Sequence, residues 1–173
     1  SATANVSGSC SDQAGNTTTR SATFAYDATA PTVANAAATR GPDANGWYNH
    51  ALPITFTSND ATSGIAGTCN STTYNGPDTA AASTTITCKD NAGNTSNALT
   101  FGSFKYDATK PTATASFARP ANTSGWYTAP VGISFSGTDA TSGPVSCSAA
   151  VTYSAPDSSS ASQPGSCTDQ AGN

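Results

Sequence analysis

The side chains best suited to cation or acid–base chemistry are carboxylates, and all ten belong to aspartate, with no glutamate in the chain. Nine of them recur by position: Asp12, Asp90 and Asp169; Asp27 and Asp107; Asp60 and Asp139; Asp78 and Asp157. Asp43 alone falls opposite an amide, Asn122. Surface charge usually mixes both acids, so an all-aspartate set points to short arms held in turns. Two chemistries use such arms. An aspartate can cap backbone amides in tight turns while a following glycine takes positive φ. Aspartates from several loops can instead converge on Ca²⁺, a hard cation that takes six to eight oxygen ligands. The candidates for that second role are Asp27 or Asp107, joined by Asp60, Asp139, Asp90 and Asn94; no other cofactor is expected. Catalysis finds little footing. A glycosidase needs a carboxyl of raised pKa in a cleft, and the one histidine, His50, is unrepeated and has no acid beside it in the sequence. No catalytic residue is expected, and the chain reads as a non-enzyme.

The five cysteines carry the second chemistry. Cys69 and Cys88 have 18 residues between them, and Cys147 and Cys167, at matching places further on, have 19. Neither interval resembles a zinc knuckle. Paired cysteines in a Ser/Thr/Gly-rich unit predict disulfides and an oxidising compartment, each bridge adding about 3 kcal/mol on the loop-entropy estimate. Cys10 has no counterpart upstream in this chain and is expected to be unpaired.

Both sets of residues hang on one repeating frame. The phrase Cys-x-Asp-x-Ala-Gly-Asn opens at Cys10, Cys88 and Cys167, 78 and 79 residues apart, and self-similarity at a fixed period marks a structural unit repeated in tandem. The seams are Phe24-Ala-Tyr26-Asp27-Ala-Thr-Ala-Pro31 and Phe104-Lys-Tyr106-Asp107-Ala-Thr-Lys-Pro111. Residues 1–27 then form the trailing strands of one repeat, 28–107 a complete repeat, and 108–173 a repeat lacking its last strand. The expectation is a piece cut from a longer array, with strand donation by an end-to-end neighbour as the alternative.

Within a repeat, Leu52-Pro-Ile54-Thr-Phe56 and Val131-Gly-Ile133-Ser-Phe135 place apolar residues at every second position, as a strand with one buried face does. Thr32 to Thr39, Cys69 to Tyr74, Ala80 to Cys88 and Ala98 to Tyr106 are further strands. Turns rich in Gly, Pro, Asn and Asp break the pattern every eight to twelve residues, and no stretch has helical periodicity. This predicts an all-β fold of antiparallel sandwiches with almost no helix. With 9% charged residues and 36% hydrophobic, the core is thin for a unit of this size and needs its staple.

Gly-Trp-Tyr before an alternating strand, Thr-Asp-Ala-Thr-Ser-Gly after it, then Cys-x-Asp-x-Ala-Gly-Asn and Tyr-Asp-Ala-Thr-x-Pro together resemble the tandem bacterial immunoglobulin-like repeats of large secreted and cell-surface proteins. The resemblance spans the whole chain. It implies Ig-like sandwiches of about seven short strands serving as a spacer, adhesin stalk or surface filament, often rigidified by calcium. The cysteine pair departs from the many calcium-dependent adhesin repeats and offers a second way of stiffening. The partners implied are neighbouring repeats of the same array, at an extracellular or cell-surface location.

The alternative function is a glycan-binding module in which Trp47, Tyr48, Trp126 and Tyr127 stack on a sugar. Their recurrence in each unit favours a core or inter-repeat plug instead, and burial of the two indoles discriminates. Asn5, Asn16, Asn70, Asn94 and Asn122 begin Asn-x-Ser/Thr sequons, which matter only in a glycosylating host. A net charge of −4 with six basic residues argues against nucleic acid, and no apolar run is long enough to insert in a membrane as a helix.

Overall fold

The computed structural model describes residues 3–67, 69–70, 72–143 and 145–173, and these form strands and turns without a helix. The strands are β1 (Ala4–Ser11), β2 (Thr17–Phe24), β3 (Thr32–Ala38), β4 (Trp47–Tyr48), β5 (Leu52–Asn59), β6 (Thr73–Tyr74) and β7 (Thr79–Ile86). They continue with β8 (Leu99–Tyr106), β9 (Thr112–Phe117), β10 (Val131–Thr138), β11 (Ser146–Cys147), β12 (Val151–Tyr153) and β13 (Cys167–Thr168). The sheets have the orders β1-β2, β3-β5-β6, β4-β8-β7, β12-β10-β9 and β11-β13, an all-β architecture of the sandwich type. No helix among the described residues is long and apolar enough to cross a membrane.

Two compact units organise these strands. The first comprises Ser1–Ala38, Ile54–Thr72 and Thr84–Phe101. Its leading element is the β1–β2 hairpin, in unbroken antiparallel register from Ala4↔Phe24 to Ser11↔Thr17. The hairpin carries little apolar surface and leaves what it has in solvent, Val6 at 60% and Phe24 at 46% exposure. β3 pairs with β5 and slips register between Ala34 and Ala37. Asn35 occupies that bulge at φ 57°, a left-handed conformation that Asn tolerates better than most residues, and its amide donates to Thr57 Oγ1 at 3.1 Å. The unit's buried apolar side chains include Ile54, Ile86 and Cys88, with Cys88 bonded to Cys69, and Asp90 and Ser96, just after it in the sequence, are buried too.

The strand expected from Cys69 to Tyr74 shrinks to Thr73–Tyr74, and Asn70 supplies the reason. Its side-chain oxygen accepts from Thr87 N and its amide donates to Thr85 O, both at 2.6 Å. Its backbone N–H donates to Thr87 O as well, at 3.2 Å, so side chain and backbone both tie this residue to Thr85 and Thr87, while Thr73 and Tyr74 pair with β5.

The second unit comprises Thr39–Pro53, Thr73–Ser83 and Gly102–Asn173. Here Gly-Trp-Tyr is a strand. β4 runs parallel to β8 with Trp47↔Lys105 and Tyr48↔Tyr106 in register, the exception to the antiparallel pairing that the turns predicted. Asn45 at φ 47° and Gly46 at φ 82° make the tight approach. The aromatic core grows around this pair: Tyr48 and Tyr74 each meet Phe104 edge-on at 5.9 and 5.1 Å, and Tyr74 meets Tyr106 at 5.1 Å. Such contacts add about 0.5–1.5 kcal/mol beyond burial. Further along, β10 lies between β9 and β12 with Val131 and Ile133 buried, and Cys147–Cys167 closes the β11–β13 pair.

Candidate cation sites

Each Asp of the Cys-x-Asp-x-Ala-Gly-Asn phrase builds its own loop. In the second copy Asp90 Oδ1 accepts from Asn94 N at 2.8 Å and Oδ2 from Asn94 Nδ2 at 2.8 Å, while Asp90 N donates to Asn94 O. In the third, Asp169 Oδ1 and Oδ2 accept from Asn173 N and Nδ2, each at 3.0 Å. The first repeats the pattern at Asp12 and Asn16 with 2.9 and 2.8 Å. The glycine before the closing Asn stands at positive φ, 83°, 94° and 88° for Gly15, Gly93 and Gly172, where a Cβ would be strained.

The Asp-Ala-Thr-Ser turns hold their carboxylates in a second way. Asp60 Oδ1 accepts the amides of Thr62, Ser63 and Gly64 at 3.1, 2.8 and 2.8 Å. Asp139 Oδ1 accepts those of Thr141 and Ser142 at 2.9 and 2.7 Å. The seam aspartates bind the amide two residues on, Asp27 that of Thr29 and Asp107 that of Thr109, both at 3.0 Å.

The fold brings these three kinds of loop together twice. One carboxylate oxygen from each of Asp27, Asp60 and Asp90 lies within 4.8 Å of the others, and the same holds for Asp107, Asp139 and Asp169. The asparagines act as latches: Asn94 Nδ2 also donates to Asp27 O at 3.2 Å and Asn173 Nδ2 to Asp107 O at 2.9 Å. Asn94, expected among the oxygen donors, thus spends its nitrogen on hydrogen bonds, leaving only Oδ1 for a cation. Asp169 and Asn173 escaped the candidates named from the sequence, although the spacing 12, 90, 169 was the signal that could have found them.

The two triads differ in burial. The difference is at the seam: Asp27 is partly open and Asp107 0% exposed, while Asp60 and Asp139 are both half-buried and Asp90 and Asp169 both buried, at 2% and 6%. Asp27 is held below the usual carboxylate range by hydrogen bonds from Ser63 and the Thr29 amide. Asp107 is pushed above it by burial, with the charges of Asp139 and Asp78 adding to the push and Ser142 and the Thr109 amide opposing it. Asp107 Oδ2 is also a buried oxygen without a hydrogen-bond donor. Three carboxylates this close repel by roughly 3 kcal/mol per pair at an effective dielectric near 20, and a buried acceptor left unmatched costs about 1–3 kcal/mol more. A divalent cation answers both costs. The donors are all hard oxygens and the spacing suits oxygens 2.3–2.6 Å from a common centre, so the residues fit Ca²⁺.

The aromatic candidates separate. Trp47 is 4% and Tyr48 7% exposed, while Trp126 is 52% exposed. Tyr127 stacks on Phe117 at 5.4 Å, and neither Trp126 nor Tyr127 belongs to a strand. His50 lies 3.5 Å from Asp43 on the surface. Cys10 is exposed with a free thiol. Comparison with family models, with curated proteins and with solved structures finds no match to this chain.

Proposed function

We propose that the chain is a structural spacer from an extracellular tandem array of Ig-like repeats, and that each seam closes around Ca²⁺. The observation that carries this reading is the position of Asp107. It stands where one repeat hands over to the next, has an unmatched buried oxygen, and lies with carboxylates from two loops of the following repeat. A cation there ties the seam to both loops and converts a flexible joint into a fixed one. Cystines within the repeats fit the same mechanical role and an oxidising surroundings. The two indoles divide on the glycan reading: buried Trp47 supports a core role, whereas Trp126, 52% exposed, leaves one copy open to a ligand. No side chain of the triads is assigned to catalysis.

Calorimetry and thermal unfolding of the intact chain test the proposal. Two Ca²⁺ should bind, and at a hundred times Kd each would add about 2.7 kcal/mol, giving a melting shift that chelator reverses. Small-angle scattering should show a narrower spread of lengths with Ca²⁺. Absence of binding heat at the millimolar Ca²⁺ suited to extracellular modules would leave the aspartates as turn formers only.

A further inference from the structure

Each cystine lies at one end of a short zipper whose other end is the pair of loops carrying two of the three carboxylates. In the buried site the zipper starts at Cys147–Cys167, with Cys147↔Cys167 and Ser146↔Thr168 in antiparallel register. It ends where Gln170 N donates to Ser142 O at 3.1 Å and Ala171 N to Ser142 Oγ at 3.4 Å. Ser142 belongs to the Asp139 turn and Gln170 to the Asp169 loop. The other site has the same plan. From Cys69–Cys88, Ala66 N donates to Lys89 O at 2.8 Å and Asn91 N to Gly64 O at 3.0 Å, joining the turn of Asp60 to the loop of Asp90. The cystine sulfur-bearing residue precedes the loop carboxylate by one intervening residue in both, Cys88-Lys89-Asp90 and Cys167-Thr168-Asp169.

The first copy of the phrase offers a contrast inside the molecule. Cys10 is a free thiol, and Asp12 forms its Asx loop yet belongs to neither carboxylate triad. The loop therefore folds from local bonds alone. No Asp-Ala-Thr-Ser turn precedes it in the sequence, so this copy shows only that the Asx loop itself needs neither cystine nor triad.

We propose that Cys147–Cys167 is the positioning element of the Asp107–Asp139–Asp169 site, and Cys69–Cys88 that of Asp27–Asp60–Asp90, so that disulfide state and cation affinity are coupled. The proposal rests on the cation reading above, which Asp107 Oδ2, buried and unmatched, supports at the first of these two sites. The covalent tie holds two mutually repelling loops at ligand spacing before the cation arrives. By reciprocity, whatever factor the intact disulfide adds to Ca²⁺ affinity, bound Ca²⁺ adds to the stability of the disulfide against reduction. Cystine and cation are cooperating parts of one joint, not substitutes for each other.

The intact chain, with Cys10 alkylated, is exposed to dithiothreitol with either Ca²⁺ or a chelator, and new thiols are trapped and assigned by peptide mass. Reduction oxidises dithiothreitol to its cyclic disulfide as each protein cystine becomes two thiols. At equilibrium with reduced and oxidised dithiothreitol, Ca²⁺ should shift the dithiol–disulfide ratio at both cystines toward disulfide by about tenfold, within the range of ordinary coupling, and the shift should saturate at the concentration that saturates binding. The protein's strand circular dichroism should be unchanged during the assay, which separates positioning from general unfolding. In parallel, Cys147→Ala with Cys167→Ala should weaken one of two Ca²⁺ sites by a similar factor and leave the other. Wild type that binds Ca²⁺ but shows the same dithiol–disulfide ratio at equilibrium with and without it overturns the coupling and spares the cation reading. Wild type that binds no Ca²⁺ overturns both.

Discussion

Asp27 and Asp107 occupy the same phrase, Tyr-Asp-Ala-Thr-x-Pro, accept the same amide two residues on, and meet the same two kinds of loop. Yet hydrogen bonds from Ser63 and Thr29 lower the first while burial raises the second. A repeated sequence thus repeats backbone geometry more faithfully than it repeats electrostatics. Geometry is set locally by Asx bonds, whereas the cost of charge is set by what surrounds the loop. The Gly-Trp-Tyr copies diverge further, in backbone as well as in cover: Trp47 is buried where β4 lies along β8, and Trp126 is exposed outside any strand.

The largest effect should come from breaking that second contrast. Trp47→Ala is expected to cost about 3–5 kcal/mol, the usual loss for a large buried aromatic, and Trp126→Ala less than about 1 kcal/mol. Urea unfolding of both variants measures the difference. Trp47→Phe should lose much less than Trp47→Ala, because Trp47 Nε1 is buried without an acceptor and phenylalanine removes that unmatched donor while keeping most of the packing. Equal losses at Trp47 and Trp126 would mean that the two copies sit in equivalent surroundings after all.

Next is the loop phrase. Asp169→Ala removes a buried carboxylate whose two oxygens hold Asn173 N and Nδ2, and in saturating Ca²⁺, where the cation offsets the repulsion within the triad, it should destabilise the chain by at least about 2–3 kcal/mol, as for hydrogen bonds to a charged acceptor. Asp12→Ala breaks the same bonds in an exposed loop and should scarcely move the unfolding midpoint. Hydrogen exchange at the amides of Asn173 and Asn16 reads the local consequence. An equal shift in the two variants would show that the loops, and not their surroundings, carry the energy.

These contrasts mark what the sequence could disclose. Both cystines were legible, because their pairing depends on cysteines at a fixed spacing. So were β5 and β7, whose Leu52, Ile54 and Ile86 are buried in alternation with open neighbours. The parallel pairing of β4 with β8 was not, since two residues of Trp-Tyr carry no directional pattern. Asn70 could not be foreseen as the end of a strand, because its side-chain bonds to Thr85 and Thr87 depend on a strand distant in sequence. The aspartate candidates could be named in advance, but their convergence is a property of loop placement, and so is the burial that sets Asp107 apart from Asp27.

A subtler substitution sharpens the seam comparison. In chelator, Asp107→Asn should raise the melting temperature, because it removes a buried charge that Asp139 and Asp78 oppose. In saturating Ca²⁺ it should lower it, since the cation loses a ligand. Asp27→Asn should weaken the chain in both conditions, as Ser63 N and Thr29 N lose a charged acceptor. The inversion of sign at position 107, with none at 27, is the expected signature; a drop in both conditions at 107 would make that carboxylate an ordinary turn former.

The smallest effect is the pH dependence of the metal-free chain, and the two seams should contribute with opposite signs. Asp107, raised from 3.8, binds its proton more tightly folded than unfolded. Its stabilising contribution is therefore complete below 3.8 and is lost as pH climbs through the higher folded value. Asp27, lowered from 3.8, behaves the other way: its contribution is present above 3.8 and disappears as pH falls through the lower folded value. Unfolding midpoints in urea between pH 3 and 7, in chelator, should show wild type losing stability above 3.8 relative to Asp107→Asn, and keeping more than Asp27→Asn until the pH drops below 3.8. Adding Ca²⁺ should abolish the first difference, because a cation at the triad favours the ionised carboxylate that burial alone penalises. Parallel curves for wild type and Asp107→Asn in chelator would mean that the buried seam carboxylate feels no more of its neighbours' charge than the open one does.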